Sequence, residues 1–211
     1  VIEGPQIFGS AVPMMMTAAG TGAAAKIFVM GAGVAGLQAI ATARRLGGIV
    51  SATDVRPAAK EQVASLGAKF IAIEDEEFKA AETTAGYAKP MSPEYQKKQA
   101  ELVAAHIAKQ DMVVTTALIP GRPAPVLVTE AMVKSMRPGS VVVDLAVVQG
   151  GNCPLSKADE VVDVNGVKVI GFSNLPAHVA ADASALYARN LLALLPLLTG
   201  ACARWVPREA C

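Results

Sequence analysis

The sequence predicts an α/β fold, a doubly wound and mostly parallel sheet with helices on both faces. Three observations carry this. Short apolar runs alternate with helical stretches along nearly the whole chain, the pattern of successive βα units. The runs are rich in Val and Ala without strict alternation, as expected of strands covered on both faces. The third is the stretch 26–54, KIFVMGAGVAGLQAIATARRLGGIVSATD, which joins a strand, a glycine turn, a helix and a second strand in immediate succession.

In that stretch Ile27 to Met30 reads as a buried strand, the helix runs to about Leu46, and Ile49 to Thr53 forms the next strand, ending on the carboxylate of Asp54. Gly31, Gly33 and Gly36 have the G-x-G-x-x-G spacing of a dinucleotide-binding turn, the Rossmann fingerprint. Gly31 allows the tight turn out of the strand, Gly33 lets a pyrophosphate approach the backbone, and Gly36 lets the helix pack closely on the sheet. The helix N-terminus then offers N–H groups and the positive end of its dipole to the phosphates. The spacing alone is weak evidence in an Ala- and Gly-rich chain. Strand, glycines, helix, strand and acid in the right order make it strong. A carboxylate at Asp54 can accept both adenosine ribose hydroxyls and would repel a 2′-phosphate, which favours NAD(H) over NADP(H). Arg56, two residues on, tempers that preference.

Composition bounds the remaining classes. The 211 residues, 53% hydrophobic, suffice for one sizeable core or one domain with appended helices. A net charge of +1 leaves no electrostatic footprint for nucleic acid or anionic membrane. Mean hydropathy is +0.41, yet the longest apolar runs, Val141 to Val148 and Leu191 to Leu198, are interrupted by Asp144 and Pro196 and fall short of a membrane span. Cys153, Cys202 and Cys211 are odd in number and lack CxxC spacing, which argues for a reducing compartment and against a metal site. Two histidines, His106 and His178, leave little for metal or triad chemistry.

The other elements follow in order. Residues 1–21, with Met14 to Met16 read as packing residues, form a loop or helix end leading into the first strand. Arg56-Pro57 opens a helix that stops at Gly67, and Ala68 to Ile73 is the third strand. The acidic run Glu74 to Glu77 reads as a solvated strand end. Phe78 to Met91 has no period and is long for a loop in such a domain, which marks it as a candidate flap with Gly86 as pivot and Tyr87 as the closing side chain. Ser92-Pro93-Glu94 opens a helix with an apolar stripe at Leu102, Val103 and Ile107 and a partly exposed His106. Met112 to Thr116 is a strand, followed by the proline-rich loop ALIPGRPAPV. Thr129 caps a short helix ending at Arg137-Pro138-Gly139. SVVVDLAVV is a further buried strand, followed by the QGGN loop. Asn165-Gly166 is the turn of a hairpin. From Ala177 to about Leu195 a helix carries Val179, Leu186, Tyr187, Leu191, Leu194 and Leu195 on one face, with Pro196 set to end or kink it.

PMMMTAAGT, MGAGVAGLQAIATARRLG, ATDVRPAAKEQVASLGAKF, AGYAKPM, KKQAE, TTALIPGRPAPVL, MRPGSVVVDLA, GGNCPLS and AADAS together resemble the nucleotide-binding lobe of the NAD(H)-binding alpha subunit of proton-translocating NAD(P)+ transhydrogenase, over about Pro13 to Leu195. That subunit is similar in fold to alanine dehydrogenase. The resemblance implies a peripheral, cytoplasmic, dimeric component that docks an NADP(H)-binding component and a membrane proton channel. It also implies a first lobe, most of which would precede Val1. The expected organisation is thus a linker or helix end from that lobe over 1–21, an NAD-binding domain over 22–176, a return helix over 177–198 and a divergent tail over 199–211.

Position by position, the resemblance implies that Val34 in the glycine turn and Asp54, Val55 and Arg56 in TDVR contact the adenosine half of NAD(H). It makes Gly86 and Tyr87 part of a mobile loop that closes on the nucleotide, and Gln99 and Leu118 further contacts. Read without it, Gln99 is a solvated helix glutamine. The family usually has an acid where Val148 stands and Arg where His178 stands. The implied activity is hydride exchange between two nicotinamides, which needs positioning and charge stabilisation but no general acid or base. No catalytic side chain is therefore assigned. An alanine-dehydrogenase-like amino-acid oxidoreductase is the rival, and it would need proton handling; the acid that family carries falls at Val148. A nucleotide-binding module with no activity of its own is the other alternative.

Overall fold

The computed structural model describes residues 2–75, 77–78, 92–119 and 121–199. The expected flap over Phe78 to Met91, with Gly86 and Tyr87, lies outside the described residues apart from Phe78.

The residues up to Ser173 form one compact unit. Its centre is a seven-stranded sheet. In chain order the strands are β3 (Lys26–Met30), β4 (Ile49–Thr53), β5 (Lys69–Phe70), β6 (Met112–Thr115), β7 (Val141–Asp144), β8 (Val161–Val164) and β9 (Val167–Ile170). Their order across the sheet is β5-β4-β3-β6-β7-β9-β8, and every pairing is parallel except β8 with β9. The predicted doubly wound architecture is thus the observed one. β3 sits in the middle, with β4 on one side and β6 on the other. The chain reverses its direction of winding between them, and at such a point the loops leaving the strand ends diverge and open a crevice.

Each face of the sheet has its own core, because successive side chains of a strand point to opposite sides. Ile27 and Val29 join Met112, Val114, Val141 and Val143 on one face. They pack there with Ile40 and Ala43 of helix α2 (Val34–Arg45) and Val63 of α3 (Ala59–Ser65). Phe28 and Met30 join Val113 and Val142 on the other, against Val103 and Ile107 of α4 (Pro93–Ile107) and Val133 of α5 (Glu130–Ser135). Burying each such Val or Ile stabilises the fold by about 1.5–3 kcal/mol, so β3 and β6 are held rigidly from both sides. Helix α1 (Glu3–Phe8) reaches the sheet through Gly4, where a Cβ would lie 2.7 Å from Met112 Sδ.

Several elements differ from the sequence expectation. The third strand is two residues long, since Ile71 ends the ladder and the chain turns towards α4. α3 begins at Ala59, Arg56 and Pro57 lying in the preceding turn. Leu102 is 37% exposed, and Tyr95 takes its expected place on the buried face of α4. Glu77 is not merely solvated: its carboxylate accepts from both Ser92 N and Ser92 Oγ, while Ser92 Oγ caps α4 by accepting from Tyr95 N at 3.2 Å. Met14, Met15 and Met16 are exposed, the last two lying on a two-stranded antiparallel ribbon of β1 (Met15–Thr17) and β2 (Gly20–Gly22). The expected hairpin is present as β8 and β9, with Asn165 at φ 55° and Gly166 at φ 80°, the paired left-handed conformation this turn requires.

The second unit begins at Asn174. It consists of a 3₁₀ turn (Leu175–Val179) and α6 (Ala180–Thr199), which continues past Pro196 for three residues. Its Leu186, Tyr187, Leu191, Leu194 and Leu195 side chains are exposed. Among the described residues no helix is long and apolar enough to cross a membrane.

Candidate functional site

The glycine turn is built at the C-terminal end of β3. Gly31 has φ +103°, where an L side chain is strained, and its N–H donates to Thr53 O at 2.9 Å. Behind the turn stands Thr116, at the exit of β6. Its N–H donates to Met30 O at 2.9 Å and its hydroxyl to Gly31 O at 3.0 Å. Gly36, in the first turn of α2, comes so close that a Cβ there would lie 1.8 Å from Gly31 O. Around a Cβ at Gly33, by contrast, nothing lies within 4 Å. Two glycines are therefore demanded by the packing of the turn, and the third leaves space in front of the helix N-terminus, whose first N–H groups have no intrahelical partner.

Asp54 closes the next loop. Its Oδ2 accepts from Ala32 N at 2.7 Å and Arg56 Nη2 at 3.0 Å, and its Oδ1 from Arg56 N at 2.8 Å and Arg56 Nε at 2.9 Å. The Asp54 side chain is 6% exposed and that of Arg56 36%. Burial alone would raise the Asp54 carboxyl, but the Arg56 and Ala32 hydrogen bonds and the Arg56 charge outweigh it and hold the group below its ordinary value. Asp54 is thus an anion tied to the glycine turn through Ala32.

Beside it lies a cavity of about 460 Å³. Gly31, Asp54, Val55 and Gln99 line it together with Tyr95 and Ala117, so the fold gathers four of the predicted residues in one place. Gln99 is no solvated glutamine: its Oε1 accepts from Ile73 N at 2.9 Å and its Nε2 donates to Thr53 Oγ1 at 3.4 Å. Val34 and Leu118 are 92% and 47% exposed, at the start of α2 and just beyond Ala117. Sequence reasoning did not single out Tyr95. Its hydroxyl donates to Ile73 O at 3.0 Å, and burial, followed by the charges of Asp75 and Glu77, pushes its phenol up to about 12.

Two loops complete the sheet edge. Buried Asp144 at the end of β7 accepts from Ala146 N at 2.9 Å and Thr115 Oγ1 at 3.3 Å on Oδ1, and from Cys153 N at 3.1 Å and Ser156 Oγ at 2.5 Å on Oδ2. This fixes the QGGN loop. Asn152, fully buried, then clasps the proline-rich loop: its Nδ2 donates to Ala117 O at 2.9 Å and Pro125 O at 2.8 Å. Neither residue stood out in the sequence, although an Asp at a strand exit followed by GGN was a visible signal. Val148 is 69% exposed in the same loop. Among the described residues no group of His, Cys, Asp and Glu could hold a metal ion.

A glycine turn at the centre of a doubly wound sheet, with an acid at the end of the neighbouring strand, defines an α/β domain of the dinucleotide-fold class. The chain belongs to the alanine dehydrogenase/PNT family, C-terminal domain, which it matches over residues 1–207. It is 61% identical over 195 residues to an NAD(P) transhydrogenase alpha subunit of Rhodospirillum rubrum, covering 92% of this chain and 51% of that protein. It is also similar to the crystal structure of a transhydrogenase from Sinorhizobium meliloti, with 60% identity and a TM-score of 0.86 over 99% of this chain and 54% of that one. An L-alanine dehydrogenase structure is more distant, with 26% identity and a TM-score of 0.64 over 84% and 45% of the respective chains. The chain spans about half the length of the relatives it matches.

Proposed function

We propose that this chain is the NAD(H)-binding component of a proton-translocating transhydrogenase, in which hydride passes between NADH and NADP+ coupled to proton movement through a membrane partner. The carrying observation is the buried Asp54 carboxylate beside the open glycine turn, in a chain 61% identical to a transhydrogenase alpha subunit. The residues suit a dinucleotide: the space at Gly33 admits a pyrophosphate against the α2 N-terminus, and Asp54 offers its oxygens to the adenosine ribose.

Bound NAD(H) would supply or accept the hydride. The chain's own residues bind and orient it. Gly31, Gly33, Val34 and Gly36 hold the pyrophosphate, Asp54, Val55 and Arg56 the adenosine, and Gln99 and Leu118 the flanks of the crevice. Gly86 and Tyr87 belong to the segment assigned to closure. Turnover then requires an NADP(H)-binding component to bring the second ring into reacting distance and a membrane proton channel to couple it, with the chain acting as a homodimer peripheral to the membrane on the cytoplasmic side. The isolated chain is accordingly a binder with little hydride transfer of its own.

Titrating the chain with NADH and NADPH, read by nicotinamide fluorescence, tests the reading. NADH should bind more tightly, each ribose hydroxyl bond to the charged Asp54 contributing about 1.5–3 kcal/mol. Asp54→Ala should weaken NADH and narrow the gap. Superimposable curves for the two nucleotides on the unmutated chain would defeat the proposal.

A further inference from the structure

A carboxylate has about four lone-pair sites for hydrogen bonds, two on each oxygen. At Asp54 all four are filled by the chain itself. Ala32 N takes one, and the remaining three are taken by the backbone N–H, Nε and Nη2 of Arg56. The guanidinium thus binds both oxygens in the forked geometry that gives such pairs their strength. The carboxylate beneath it is nearly buried, whereas the Arg56 side chain retains access to solvent. A ribose diol therefore has no acceptor to use until the fork withdraws.

We propose that Arg56 sets the nucleotide specificity of this site by competing with the adenosine ribose for Asp54. The inference rests on the nucleotide-binding reading above and deepens it. An unphosphorylated ribose must displace the guanidinium to reach the carboxylate. A 2′-phosphate need not, because a guanidinium has five N–H donors and the fork to Asp54 uses two, leaving others to meet the phosphate while the pair stays intact. Arg56 thus weakens NADH binding, strengthens NADPH binding and compresses the discrimination that Asp54 creates. If Arg56 were simply a further adenosine contact, removing it would weaken NADH instead.

The test is titration of the unmutated chain, Arg56→Gln and Arg56→Lys with NADH and with NADPH at fixed ionic strength, with thermal melts to verify folding. Arg56→Gln should bind NADH about three- to fivefold more tightly, the scale of a partly exposed ion pair, and NADPH about tenfold more weakly through the lost charge-assisted bond. Arg56→Lys keeps the charge but lacks the fork. It should gain NADH affinity in the same way while holding most of its NADPH affinity, and it decides the matter should the glutamine variant fold poorly. Unchanged or weaker NADH binding in the folded variants overturns the competition. Failure of the unmutated chain to bind either nucleotide overturns the nucleotide-binding reading itself, and the inference with it.

Discussion

Gly36→Ala and Gly33→Ala add the same methyl group three residues apart, and the structure assigns them opposite consequences. At Gly36 the new Cβ would lie 1.8 Å from Gly31 O and 2.8 Å from Gly31 C, both backbone atoms that no rotamer change can move. Reaching even 3.0 Å, below which Cβ contacts are essentially never seen, means parting the helix from the turn by about 1.2 Å. That displacement also disturbs the Thr116 hydroxyl bond to Gly31 O. Overpacking of this kind costs about 1–3 kcal/mol, against a gain in helix propensity of about 1 kcal/mol. The net expectation is a loss of about 1–2 kcal/mol, with weaker nucleotide binding because the turn is deformed. Gly33 has φ −72° and ψ −169°, open to any residue, and its Cβ meets nothing within 4 Å. Gly33→Ala should change stability by less than about 1 kcal/mol, yet weaken NADH at least about tenfold by intruding where the pyrophosphate approaches. Urea unfolding and NADH titration of both variants give the four numbers needed. A Gly36→Ala chain as stable as its parent would refute the packing argument, and a Gly33→Ala chain with unaltered affinity would refute the placement of the pyrophosphate.

Two further outcomes follow from buried polar groups. Asn152→Ala removes both donors to Ala117 O and Pro125 O, and stranding those carbonyls should cost about 1–3 kcal/mol, seen as a lower denaturation midpoint with unchanged slope. His106 lies edge-on to Phe28 with Nε2 2.8 Å from Ser51 Oγ. Burial, followed by the charges of Lys69 and Lys109, lowers it below its ordinary 6.5. The unfolded chain therefore takes up the proton first, and stability, complete above pH 6.5, is lost as the pH falls below it. Melting temperatures of His106→Gln should flatten that slope, and a slope identical to the parent's would show the imidazole to be uninvolved.

The central strands and the glycine turn were legible in the sequence because their signals are local. Ile27 to Met30 is a buried run directly before Gly31, and Asn165-Gly166 dictates its own turn. What was not legible depends on residues far apart in the chain. Gln99 looks like any helical glutamine until Ile73 and Thr53 are placed beside it. Likewise the Thr116 hydroxyl acquires its role only when β6 pairs with β3. Met14 to Met16 misled because apolar content suggests burial, whereas the ribbon they form exposes them. Arg56 was visible beside Asp54, but the sequence could not show that its side chain folds back to fill the carboxylate.

The partner strand that completes the glycine turn arrives late in synthesis. Ile27 pairs with Met112, and Thr116 reaches Gly31 across 85 residues of chain. At a translation rate of about 5–20 residues per second, roughly 4–17 s separate the two ends of that contact. For those seconds β3 has β4 beside it and an open ladder on its other edge, with Ile27, Phe28, Val29 and Met30 available to any other extended segment. The most apolar strand of the sheet is thus the one longest without its second neighbour. Nascent chains halted before residue 112 should consequently lean on chaperones far more than chains halted after 116.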